Sequence, residues 1–263
     1  MTTDSASILS LAARLRVAAA SGTPIAPIRE ELATGGVAAA YRVQEANTTH
    51  RLAEGARLVG RKIGLTSKTV QKQLGVDSPD FGMLFADMEL DPGQVVALGQ
   101  VLQPKVEAEV AIVLGRDLLD ADLTMSRLIS SVAYVLPAVE IVGSRIASWD
   151  IRLLDTIADN ASSGLYALGT DPRKLEQVDL RLCGMVMERR SEVVSVGVGA
   201  ACLGHPLNAA LWLAKKMVEV GRPLREGDVV MSGALGPMVV VAPGDSIVTT
   251  IAGLGTLTTA FAD

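Results

Sequence analysis

Val106-Glu107-Ala108-Glu109-Val110-Ala111-Ile112-Val113-Leu114 is the stretch on which both the fold and the chemistry of this chain turn. Pro104 and Gly115 bracket it, and its β-branched and small apolar residues suit a pleated, buried surface. Side chains alternate along a strand, so Val106, Ala108, Val110, Ile112 and Leu114 share one apolar face. Glu107 and Glu109 share the other, about 7 Å apart at Cα by the strand rise. Two like charges on one side of an apolar strand repel each other and resist desolvation. Water offsets this if the face is exposed; a divalent cation offsets it if the face lines a cleft.

A second apolar run, Pro137-Ala138-Val139-Glu140-Ile141-Val142, carries one glutamate and no charged neighbour. Such a residue is costly to bury unpaired, and a third metal ligand would explain it. Three carboxylates without a nearby histidine match a hard cation, Mg²⁺ or Mn²⁺. Three protein ligands leave positions for substrate and water. Three carboxylates around a doubly charged ion leave one net negative charge, so an anionic substrate needs added positive charge, for which Lys62 and Arg61 are candidates. The pattern Glu-x-Glu is more often a solvated strand face, and spacing alone leaves both readings open.

Away from these strands the order is helices first, then a strand-rich body. Ile8, Leu11, Ala12 and Leu15 follow helical spacing up to Ser21-Gly22-Thr23-Pro24. A second helix is predicted over Val37 to Ala53. Leu58 to Thr66 reads as a strand entering a bend, and Gly75 to Gly82, with its Asp, Pro and Gly residues, as a loop. A helix over Ala121 to Ser131 and a strand over Val132 to Ile146 follow. Asp159 to Gly164 reads as a polar loop. Pro206 to Val220 is a helix with proline at its first position and Gly221 at its exit. From Asp228 the chain returns to short strands, with Pro243-Gly244-Asp245 as a turn. This is an α+β layout: a helical part over residues 1–57 and a β-rich catalytic body over 58–263, forming one functional unit.

Composition narrows the function. Aromatics are only 3% and the net charge is -5, with no basic stripe, so nucleic acid is not an expected partner. No apolar run is long enough for a membrane helix, and the first residues lack a signal-peptide core. Cys183 and Cys202 form no Cys-x-x-Cys pair and are expected to be buried thiols, which suits a cytoplasmic protein. No glycine-rich phosphate loop lies between a strand and a helix.

Several stretches together carry a family resemblance: Val59-Gly60-Arg61-Lys62-Ile63-Gly64-Leu65-Thr66, Gln73-Leu74-Gly75-Val76-Asp77, Pro79-Asp80-Phe81-Gly82, Leu102-Gln103-Pro104-Lys105-Val106-Glu107-Ala108-Glu109, Ala158-Asp159-Asn160-Ala161-Ser162-Ser163, and Gly233-Ala234-Leu235-Gly236-Pro237. The chain resembles the 2-oxopent-4-enoate hydratases of the fumarylacetoacetate hydrolase superfamily over nearly its whole length. The resemblance implies a mixed β-rich fold with an N-terminal helical part, a cytoplasmic location, a large homo-oligomer, and an Mg²⁺ or Mn²⁺ ion. It implies hydration of 2-hydroxypenta-2,4-dienoate to 4-hydroxy-2-oxopentanoate in aromatic meta-cleavage, with a decarboxylase or a downstream aldolase as partner in a complex. By matching position, Glu107, Glu109 and Glu140 are its metal ligands, and Lys62 and Asp80 its active-site lysine and aspartate.

Ser162 and Ser163 are candidate substrate hydrogen-bonding groups, with a turn cap as the equal alternative. His205 is expected to start the helix at Pro206 rather than to act in catalysis, and Arg145 to pair with Glu140 or to meet an oligomer partner. Trp212 and Met217 are expected in the core or an interface. The rival readings are a 4-oxalocrotonate decarboxylase with the same carboxylates, a non-catalytic partner of such an enzyme, and a C–C bond hydrolase. The last needs a His-Glu pair, and neither His50 nor His205 adjoins an acid in the sequence.

Overall fold

The computed structural model describes residues 4–74 and 76–263; Gly75, inside the predicted loop, and the first three residues fall outside them. The helices are α1 (Ser5–Ser21), α2 (Arg29–Leu32), α3 (Gly36–Ala53), α4 (Lys68–Leu74), α5 (Met125–Ser131), α6 (Leu153–Ala158) and α7 (Pro206–Glu219). The strands are β1 (Leu58–Gly64), β2 (Asp80–Phe85), β3 (Val95–Val96), β4 (Lys105–Leu114), β5 (Val132–Val142) and β6 (Leu165–Leu168), then β7 (Gly184–Arg189), β8 (Glu192–Val198), β9 (Val229–Met231), β10 (Val239–Val240), β11 (Ser246–Ile251) and β12 (Gly255–Phe261). None of these helices is long and apolar enough to cross a membrane.

Local sequence explains the helix ends. The Asp4 side chain accepts from the Ser7 N–H at 2.7 Å and so caps α1, which stops at Gly22 with φ 69°. Its buried stripe is Ile8, Leu11, Ala12, Leu15 and Ala18. At α7, His205 Nδ1 accepts from the Leu207 N–H at 3.0 Å and Pro206 takes the first turn, the helix-starting role read from the sequence. Met217 is fully buried and Trp212 packs partly buried against the main core.

Two sheets form the body. The first has the order β2-β1-β9-β4-β5-β6, with β10 pairing beside β4. Among the described strand pairs of this sheet, β1 and β9 run parallel and the others are antiparallel. The second has the order β3-β12-β11-β7-β8. The N-terminal helices form a separate apolar cluster with Ile146, Ile157 and Ala158, so they close over α6 and the segment after β5. This is the mixed, β-rich α+β fold with an N-terminal helical part that the sequence led us to expect.

Three expectations need correction. Asp80, Phe81 and Gly82 are not loop but the start of the fully buried β2. The strand beginning at Val132 ends at Val142 rather than Ile146, and the helix expected from Ala121 begins at Met125, capped by Thr124. The β7–β8 hairpin lies in a stretch for which the sequence pattern predicts no element.

Candidate active site

Register brings the three glutamates together. Glu107 pairs with Glu140 across β4 and β5, and Glu109 pairs with Ala138, so all three carboxylates rise from one face of the sheet. An oxygen of each lies within 4.8 Å of the other two. Glu109 and Glu140 are buried and Glu107 half-buried. Glu109 Oε2 accepts from the Gly233 N–H at 2.8 Å, but Glu109 Oε1 and both Glu140 oxygens have no hydrogen-bond donor. Burial first, and neighbouring carboxylates next, push Glu109 well above the usual carboxylate range; burial raises Glu140 as well, against the pull of Lys62. Glu107 is pushed up to about 7, chiefly by burial.

Lys62, on β1, reaches into the same space. Its Nζ donates to the Ala161 carbonyl at 2.8 Å and lies 3.2 Å from Glu140 Oε2, an ion pair without hydrogen-bond alignment. Burial works against its charge, yet the surrounding carboxylates outweigh that and hold its pKa above the ordinary value. Arg61, the other candidate cation, donates to the Gly60 carbonyl at 2.8 Å and takes no part in the cluster, because successive strand residues point to opposite faces.

Asp80 lies opposite Gly64 in the β1–β2 pairing, and Gly82 lies opposite Lys62. Both glycines make room. A Cβ at Gly64 would stand 2.1 Å from Asp80 Oδ1, and one at Gly82 would stand 2.3 Å from the Asn160 carbonyl oxygen. Asp80 is buried, and burial raises its pKa. Its Oδ2 accepts from the Thr156 hydroxyl at 3.4 Å, while Oδ1 has no partner.

The loop after α6 supplies the remaining wall. Asn160, Ala161 and Ser162 have φ of 55°, 50° and 57°, three successive left-handed residues that tertiary contacts must hold. The Asn160 side chain grips both polar groups of Met83, accepting from its N–H at 2.7 Å and donating to its carbonyl at 3.0 Å. Arg145 pairs with the Asp159 carboxylate and donates to the Ser163 carbonyl at 2.9 Å. The expected pairing of Arg145 with Glu140 is therefore wrong: the guanidinium closes the loop, and Lys62 is the partner of Glu140. The loop is buried rather than a solvated polar turn, since Ala161, Ser162 and Ser163 are all buried. Ser162 Oγ meets Thr156 Oγ1 at 3.2 Å, and Ser163 Oγ is buried without a partner beside Gly82.

Seven sequence-singled residues thus converge: Glu107, Glu109, Glu140, Lys62, Asp80, Ser162 and Ser163. Sequence reasoning missed Thr156, Gly64 and Gly233, since neither a threonine on a short helix nor an isolated glycine carries a chemical signature. A separate cavity of about 230 Å³ touches Asp159, Asn160 and Ser163 but none of the cluster's carboxylates. His50 lies 3.4 Å from Glu54, a pair the sequence reading overlooked, at the exposed end of α3 and apart from the cluster. Both cysteines are free and buried, as expected, and burial pushes Cys202 up to about 12.

The donor set fits a divalent cation: three carboxylates converge, three of their buried oxygens lack a hydrogen-bond donor, and the single charge of Lys62 offsets only part of theirs. Comparison with known proteins accords with this. Residues 43–262 match the model of the fumarylacetoacetate (FAA) hydrolase C-terminal family. The chain belongs to the fumarylacetoacetate hydrolase family. Within that family it is 57% identical over 262 residues to 2-keto-4-pentenoate hydratase 1 of Dechloromonas aromatica, covering 98% of this chain and 100% of the relative. It is 61% identical over 242 residues to the TodF product hydratase of a Pseudomonas putida strain, covering 92% and 90%. Among solved structures, 4-oxalocrotonate decarboxylase from Pseudomonas putida G7, complexed with magnesium and adipate, superposes with a TM-score of 0.92 at 35% identity, covering 97% of each chain.

Proposed function

We propose that this hydro-lyase adds water to 2-hydroxypenta-2,4-dienoate and yields 4-hydroxy-2-oxopentanoate, within aromatic meta-cleavage. The observation that carries the reading is the Glu107–Glu109–Glu140 cluster with Lys62 at its edge, in a chain more than half identical to relatives named 2-keto-4-pentenoate hydratase. Glu107, Glu109 and Glu140 would hold Mg²⁺ or Mn²⁺. When bound, such an ion supplies Lewis-acid stabilisation for negative charge on the substrate's 2-oxygen.

The chain's own groups account for the protons. Ketonisation removes the proton from the 2-hydroxyl and places one on C5, leaving a 3,4 double bond conjugated to the new carbonyl. Water oxygen then bonds to C4 and a proton goes to C3. Negative charge collects on the 2-oxygen in both stages. Lys62 uses one N–H on Ala161, stands against Glu140, and keeps donor capacity for that oxygen. Asp80, with Oδ1 unpartnered and its pKa raised, is suited to take and return a proton. Ser163, a buried hydroxyl without a partner, and Ser162 can bind the substrate's polar end.

A large homo-oligomer belongs to the same reading, and would account for the exposed Val186, Val193 and Val196 on β7 and β8. A cytoplasmic location and a complex with a decarboxylase or a downstream aldolase complete it. The rival is decarboxylation of 4-oxalocrotonate, favoured by the structural likeness to that enzyme. Purified protein given each substrate separately decides between them: hydration of the dienoate supports the proposal, and carbon dioxide release without hydration overturns it.

A further inference from the structure

Helix α6 is only six residues long, and its position is imposed from outside. Asp155 in its first turn accepts from the N–H groups of Ile28 at 2.8 Å and Arg29 at 3.0 Å, and pairs with the Arg29 guanidinium at 3.0 Å. From the middle of α3, Gln44 Nε2 donates to two carbonyls, that of Phe81 at 2.8 Å and that of Ile157 at 3.0 Å. Phe81 follows Asp80, and Ile157 follows Thr156. The buried Gln44 therefore sets the gap between Asp80 and Thr156. Tyr41, one turn earlier on α3, stacks on Phe81 at 4.4 Å and braces the same spot. Within the gap, Thr156 Oγ1 lies 3.4 Å from Asp80 Oδ2 and 3.2 Å from Ser162 Oγ. All three side chains are buried, so these contacts are made away from bulk water.

We propose that Thr156 is a positioning residue for proton transfer by Asp80, its hydroxyl fixing the carboxylate and joining it to Ser162 in one chain of O–H bonds. The inference rests on the reading of Asp80 as the proton carrier. With Asp80 ionised, Ser162 donates to Thr156 and Thr156 donates to Oδ2. A proton taken by the unpartnered Oδ1 leaves Oδ2 an acceptor, so the same two donations hold the carboxyl group in both states. Only Asp80 gains and returns a proton; the Thr156 and Ser162 hydroxyls keep theirs. The N-terminal helices thereby acquire a part in the reaction, because Gln44 and Asp155 hold α6 where the chain can form.

The experiment compares Thr156→Val, which keeps the shape and removes the hydroxyl, with Thr156→Ser, which keeps the hydroxyl and removes a methyl. Losing a hydrogen bond to a charged group predicts that T156V lowers kcat about ten- to a hundredfold. It also predicts an acid limb of the pH–rate profile moved to higher pH, with KM changed by less than about threefold. T156S is expected to keep both kcat and the profile. A packing role alone predicts the reverse order, with valine active and serine impaired. Thr156→Ala also lacks the hydroxyl and is the second probe if valine does not fold; it is expected to behave as valine should. Wild-type kcat and pH profile in either hydroxyl-free variant would overturn the proposal. Asp80→Asn is run beside them: full turnover there removes the proton-carrier reading itself, whereas an inactive D80N with an unaffected T156V removes only the role of Thr156.

Discussion

Glu107 stands directly opposite Glu140 across the β4–β5 ladder. Like charges in that arrangement destabilise a sheet, and here Glu109 adds a third within 4.8 Å. A cation that binds only the folded state stabilises it by about 2.7 kcal/mol at a hundred times its dissociation constant. Thermal melts are therefore expected to rise with added Mg²⁺ or Mn²⁺ and to fall back on chelation. Glu109→Gln can still accept from the Gly233 N–H. It is expected to equal or exceed wild type in stability without cation, because a buried charge is gone, and to lose the cation's effect. A cation-induced shift that persists in E109Q contradicts the assignment.

Glu107 gives the pH dependence its sign. In the metal-free protein its folded pKa is about 7 against an ordinary 4.5, raised chiefly by burial. The folded state thus keeps a proton that the unfolded chain has released. This contribution to stability is complete below the unfolded value and is lost as pH climbs through the folded one. In chelator, the denaturation midpoint should fall between about pH 5 and pH 7.5. Saturating cation, which binds the ionised form, should flatten that fall, and its affinity should rise over the same window. Equal slopes with and without cation would refute this.

Gly64→Ala tests how closely Asp80 is fitted. The added Cβ would stand 2.1 Å from Asp80 Oδ1, the end of a side chain that can swing aside. The fold is expected to survive while the carboxylate is displaced. Positioned proton transfer contributes about 10²–10⁴-fold, so kcat should fall by about a hundredfold or more with the melt little changed. Turnover at the wild-type rate in a folded G64A would show that the location of Asp80 is immaterial.

Arg145→Met tests the loop clamp. Removing one member of a buried ion pair costs about 3–5 kcal/mol, because the other charge is left without compensation. Asp159, already raised by burial, would lose its main counterweight. The variant should unfold earlier in denaturant and should also lose activity, since Ala161 no longer holds Lys62. Adding Asp159→Asn should recover part of the stability and not the activity. Full activity in R145M would mean that the loop keeps its shape without the clamp.

The cluster was partly legible because strand alternation is a local rule: it places Glu107 and Glu109 on one face from the sequence alone. Their meeting with Glu140 depends on the β4–β5 register, which no local pattern specifies, so that ligand rests on its isolation in an apolar run and, more firmly, on family resemblance. Asp80 was misplaced in a loop because Pro79 and Gly82 are turn formers. In the structure, Gly82 serves close packing against Asn160 inside a buried strand. The β7–β8 hairpin went unread because Arg190 and Ser191, both left-handed with φ of 53° and 64°, replace the Asn-Gly that signals such turns. Thr156 and Gln44 act through tertiary distances, which leave no mark in sequence spacing.

In the proposed reading, three carboxylates hold one catalytically required cation. Its most direct test is a titration of chelator-stripped protein with Mn²⁺, following bound metal and dienoate hydration in the same samples. The account predicts one ion bound per chain, hydration rising in proportion to occupancy from none, and neither in Glu109→Gln. Hydration by the stripped protein, or full occupancy without hydration, would contradict it.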